Sequence, residues 1–71
     1  MQYRRFILKR DYECEFGTLP VNSQIDIYGD RIMFNGGMIE PQYYSVLESL
    51  INTPELFDKY LREVVIPVNK I

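Results

Sequence analysis

The sequence predicts an α+β fold: a small, curved antiparallel sheet of short strands, a C-terminal helical hairpin and a returning last strand. Three observations predict it. Apolar and polar residues alternate in short runs through residues 1–40, the period of half-buried strands. Turn-forming residues at Gly29-Asp30 and Asn35-Gly36-Gly37 separate those runs. From Pro41 onward the apolar spacing changes to three and four, the period of an amphipathic helix. An SH3-like or otherwise partly closed barrel is an alternative for residues 1–40.

The elements follow in order. Tyr3 to Arg10 reads as a strand with Arg4, Phe6, Leu8 and Arg10 on one face and Tyr3, Arg5, Ile7 and Lys9 on the other. Tyr12, Cys14 and Phe16 alternate with Glu13 and Glu15 in a second short strand, and Phe16 to Leu19 reads as the turn that reverses the chain. Pro20 cannot donate to a ladder and marks a bend or an edge. Gln24 to Tyr28 and Arg31 to Phe34 form a hairpin about Gly29-Asp30, with Ile25 and Ile27 opposite in direction to Asp26. Asn35-Gly36-Gly37 supplies residues that tolerate positive φ, and Met38-Ile39 forms a further brief strand or an apolar plug.

Pro41 suits the first position of a helix, where its missing N–H costs nothing, and Tyr43, Val46, Leu47, Leu50 and Ile51 make that helix's apolar stripe. Thr53-Pro54-Glu55 ends it and starts a second: Thr53 caps, Pro54 takes the first turn and Glu55 meets the helix dipole. Leu56, Phe57, Tyr60, Leu61 and Val64 form the second stripe. Val64 to Val68 is β-branched and returns to the sheet, with Pro67 marking an edge. Residues 1–71 make one domain, without repeats or a linker.

Composition narrows the function. The chain has 71 residues, one Cys and no His or Trp. It therefore has no imidazole for proton transfer near neutral pH and no second thiol for a disulfide or zinc site. A chain this short buries only about 60% of its unfolded surface, so association with a partner or a second copy is expected. The net charge is −2 but uneven. Residues 1–10 hold Arg4, Arg5, Lys9 and Arg10 and no acid, against ten acids and four bases in the remainder. That balance disfavours general nucleic-acid binding. No signal peptide or membrane-length apolar run is visible, so a location in a host-cell cytoplasm or a virion is expected.

Two surfaces are candidates for partner binding. The first is the basic strand, Arg4, Arg5, Lys9 and Arg10 with Tyr3 and Tyr12 nearby, which is also the surface a nucleic-acid-binding alternative would use. The competing reading pairs these charges with Glu13, Glu15 or helix acids, and four charges split over two faces favour it. The second surface is the glycine turn, Gly36, Gly37 and Met38, followed by Tyr43 and Tyr44, which offer amphipathic contact area. Asp26, Asp30 and Glu40 lack the spacing of a calcium loop and read as turn and helix-start residues. Cys14 lies between Glu13 and Glu15, which disfavour its thiolate, and reads as a small core residue. Ser45 and Ser49 have no histidine to activate them. The second helix carries Glu55, Asp58, Lys59, Arg62 and Glu63, the wrong balance for reading DNA. No catalytic residue, metal site or cofactor is expected.

A wider layout combines the basic first strand, Phe16-Gly17-Thr18-Leu19, Ile25-Asp26-Ile27, Phe34-Asn35-Gly36-Gly37-Met38, Pro41, the run Leu56 to Leu61 and a closing Ile66-Pro67-Val68-Asn69-Lys70-Ile71. In this layout the chain resembles the short accessory proteins of tailed bacteriophages. The resemblance implies a non-enzymatic protein that inhibits a host protein or joins a virion assembly. It implies no particular functional residues.

Overall fold

The computed structural model describes residues 3–65. The fold is α+β. Five strands form one antiparallel sheet in the order β6-β5-β4-β1-β7: β1 (Tyr3–Leu8), β4 (Gln24–Tyr28), β5 (Arg31–Phe34), β6 (Gly37–Met38) and β7 (Leu61–Val64). A separate hairpin pairs β2 (Tyr12–Cys14) with β3 (Gly17–Leu19). Two consecutive helices, α1 (Gln42–Asn52) and α2 (Pro54–Tyr60), precede the last strand. No pairing joins β6 to β7 among the described residues, so the large sheet is open there.

The two faces of the sheet differ. Phe6, Leu8, Ile25 and Leu61 lie on one face and are buried with Leu47 and Leu50 of α1. Leu19 from the small hairpin and Ile39 complete this core, and Phe57 of α2 meets Phe6 edge-on at 5.6 Å. The hairpin closes one side: Tyr12 packs edge-on against Tyr60, and the Tyr43 hydroxyl donates to the Phe16 carbonyl at 3.0 Å. None of these elements covers the opposite face, where Ile7, Met33 and Val64 stand outside the core cluster.

Turn chemistry sets the register. Asn35 and Gly36 both have positive φ, 52° and 83°, the conformation of a two-residue type I′ hairpin, so Phe34 pairs with Gly37 and Met33 with Met38. Asn35 also holds β4, accepting from the Gln24 N–H at 2.8 Å through Oδ1 and donating its own N–H to the Gln24 carbonyl. The stripe predicted for α1 is the one that packs, with Leu47 and Leu50 buried and Tyr43, Val46 and Ile51 flanking them.

Four expectations change. The chain reverses at Glu15-Phe16, and Gly17–Leu19 is a strand rather than the turn, because Cys14 pairs with Gly17. Cys14 is half-exposed and outside the core; its thiol donates to the Gly17 carbonyl at 3.3 Å. Pro41 is the N-cap of α1, with helical dihedrals, and Gln42 is the first helical residue. Leu61 and Val64 leave the second helical stripe: α2 stops at Tyr60 and the last strand starts three residues earlier than expected. The physical reason is the free edge of β1, which pairs Leu8 with Leu61 and Arg5 with Val64. The remainder of the expected Val64 to Val68 strand, with Pro67, lies outside the described residues beyond Val65. Thr53 caps α2 by position without a side-chain hydrogen bond, and Pro54 opens that helix.

Candidate binding surface

The structure separates the four basic residues of the first strand. Arg4 lies on the helix side and grips Glu63 of β7 through two hydrogen bonds, Nε to Oε2 at 3.0 Å and Nη2 to Oε1 at 2.8 Å. That contact holds the Glu63 carboxyl below its ordinary range, chiefly by hydrogen bonding. Arg5 points to the open face and donates from Nε to Asp26 Oδ1 at 2.8 Å. Lys9 Nζ donates to the Asp58 carbonyl near the end of α2. Arg10 is exposed. The partners are thus Glu63, Asp26 and a helix carbonyl rather than Glu13 or Glu15, and the four charges form no common groove.

The open face is built row by row from strand register. Its central row runs Met38, Met33, Asp26, Arg5 and Val64 across the five strands. A second row brings Arg31, Tyr28 and Tyr3 together, and a third places Gln24, Ile7 and Arg62. Asp26 is buried although no helix covers it, because Arg5, Gln24 and the neighbouring strands surround it; Gln24 Nε2 donates to Oδ2 at 2.9 Å. The Tyr3 and Tyr28 rings stack at 4.4 Å with an interplanar angle of 6°. Arg5 also donates to the Tyr3 hydroxyl and lies over its ring. The Tyr3 hydroxyl ionises above the ordinary tyrosine range, first because of hydrogen bonding with the Tyr28 hydroxyl and then because of burial.

At the β5–β6 end this face becomes apolar and accessible. Met38 is 85% exposed, the most accessible large apolar side chain here except Val65. A groove of about 460 Å³ is lined by Tyr28, Asp30, Arg31 and Met33. A second, of about 450 Å³, is lined by Arg31, Ile32, Met33, Met38 and Tyr44. The two share Arg31 and Met33 and so form one continuous surface. Gly36 and Gly37 serve it by turning the chain so that Met38 stands beside Met33. Tyr44 joins it, whereas Tyr43 faces the small hairpin and packs edge-on against Phe16 at 5.6 Å.

Tyr28, Arg31 and Met33 were not singled out from the sequence. Their signal was present: alternation in Arg31–Phe34 puts Arg31 and Met33 together, and the Gly29-Asp30 turn sets Tyr28 opposite Arg31. Among the described residues no group of His, Cys, Asp and Glu is arranged to hold a metal, and no helix is long and apolar enough to cross a membrane. Compared with protein-family models, curated proteins and solved structures, the chain matches none.

Proposed function

We propose that the chain is a non-enzymatic protein-binding module that engages its partner through the open face of the sheet at the β5–β6 end. The exposed Met38 beside Met33, Tyr28 and Tyr44 carries this reading. Methionine adapts its shape to a partner, and tyrosine contributes rigid amphipathic area at little entropic cost. The resemblance to phage accessory proteins sets the class of partner: a host protein that is inhibited, or a subunit of a virion. A second copy of the chain is the alternative partner that so small a core allows.

The test compares the wild-type chain with Met38→Glu and Met33→Glu on an affinity resin exposed to lysate of the natural host. The expected result is a retained protein that both variants lose while keeping their circular dichroism spectra. Retention that survives both substitutions, or no retained protein, overturns the reading. Retention on nucleic acid at low salt, abolished by glutamine at Arg4, Arg5, Lys9 and Arg10, would replace it with the nucleic-acid alternative.

A further inference from the structure

We propose that the open face takes an extended acidic segment of a partner protein, which crosses the sheet diagonally with one carboxylate at Arg31 and another at Arg62. This rests on the protein-binding reading and gives its partner a chemistry. The first observation is charge. By register the open face carries Arg5, Arg31 and Arg62 against Asp26, with Asp30 of the β4–β5 turn lining the groove beside Arg31, whereas the other described residues carry eight acids and four bases. Arg5 spends its charge on Asp26. Arg31 and Arg62 are exposed and make no salt bridge or side-chain hydrogen bond among the described residues. The face is therefore cationic on a chain that is acidic overall.

The second observation is spacing. Arg31 lies opposite Tyr28 and Tyr3, and Arg62 lies opposite Ile7, so the two occupy opposite corners of the face. Three strand spacings of about 4.8 Å and four residue steps of about 3.4 Å put these positions roughly 20 Å apart. No single carboxylate or phosphate bridges that distance. An extended segment covers it in about six residues, and residues six apart in a strand point the same way. Its two intervening side chains on that side pass over the central row, where Asp26 and Arg5 already neutralise each other with Tyr28 and Ile7 beside them, which calls for uncharged residues. The pattern is acid, two alternate uncharged residues, acid.

Charge also argues against the other occupants. Two copies stacked by these faces would oppose like charges. A nucleic acid would gain only two unpaired guanidinium groups, and its affinity scales with the number of phosphates neutralised.

Fluorescence anisotropy with a labelled Glu-Thr-Val-Thr-Val-Thr-Glu peptide tests the inference, with Lys-Thr-Val-Thr-Val-Thr-Lys and a short oligothymidylate as comparators. The glutamate peptide is expected to bind the wild type at least tenfold more tightly than an Arg31→Glu/Arg62→Glu variant of unchanged circular dichroism. The lysine peptide is expected not to bind. No binding by the glutamate peptide, equal binding by both peptides, insensitivity to the double substitution, or tighter binding by oligothymidylate each overturns the inference. A lysate protein that the double variant retains and Met38→Glu loses would overturn it too, while leaving the protein-binding reading standing.

Discussion

Arg5 on β1 and Asp26 on β4 are paired in register, and the Arg5 Nε donates to Asp26 Oδ1 at 2.8 Å on the side of the sheet that the helices leave open. The two side chains are unequal: 34% of Arg5 is exposed but only 7% of Asp26. Removing the arginine strands a buried carboxylate with Gln24 as its remaining hydrogen-bond donor. Arg4→Ala, in contrast, frees Glu63 into water, and such exposed pairs contribute about 0–1 kcal/mol. Urea unfolding should therefore show a larger loss of midpoint for Arg5→Ala than for Arg4→Ala. Equal losses would contradict the burial assigned to Asp26.

The two sides of the sheet should respond differently to truncation. Leu50 is fully buried beneath the sheet, and Leu50→Ala should cost about 3 kcal/mol. In a chain of this length that is a large part of the total stability. Ile7 stands on the uncovered face, and Ile7→Ala should cost about 1 kcal/mol or less. Similar costs at both sites, measured by denaturant titration, would mean that something covers the open face.

The Asn35-Gly36 turn predicts a dependence on chirality. Gly36 has φ of 83° and open space where a Cβ would stand, so Gly36→Ala suffers backbone strain without a steric clash. It should cost about 1 kcal/mol. D-Alanine placed there by chemical synthesis should be neutral or stabilising, because positive φ is natural to it. Melting curves of the two alanine forms decide the matter.

The Arg4–Glu63 pair sets a pH dependence with a defined sign. The carboxyl is held below its unfolded value, so its contribution is present above the usual carboxylate pKa and is lost as pH falls through the lowered one. Glu63→Gln should melt lower than wild type near pH 7, and the difference should close on acidification to about pH 3. A difference that persists in acid would assign the effect to packing.

At alkaline pH the Tyr3–Tyr28 stack gives the opposite sign. The Tyr3 pKa is raised in the folded chain, so the associated stability is present below the ordinary tyrosine pKa and is lost as pH rises through the raised one. Absorbance titration near 295 nm should show a late-ionising tyrosine that moves toward the ordinary range in Tyr28→Phe. An unchanged titration would remove Tyr28 as its chief cause.

Much of this architecture was legible in the residues. Alternation located β1, β4 and β5, the glycine turns located the β4–β5 and β5–β6 hairpins, and the three-four spacing with Thr53-Pro54 located both helices. The end of α2 was not legible, because Leu61 and Val64 satisfy the helical spacing after Phe57 and also suit a strand. Part of the candidate surface was legible as well: Met38 and Tyr44 were marked by the turn and by their chemistry, while Tyr28, Arg31 and Met33 needed cross-strand register to join them.

The sequence by itself determined the fold class, the order of the elements other than β3, the turns at Gly29-Asp30 and Asn35-Gly36 and the division of β1 into two faces, since each follows from periodicity or local dihedral preference. Tertiary structure alone decided which face the helices cover, that Arg4 and Arg5 answer to Glu63 and Asp26, and that β1's free edge draws Leu61 out of a helix. The physical reason is that spacing along a chain fixes which side chains point together, but only register and packing between distant segments fix what they meet.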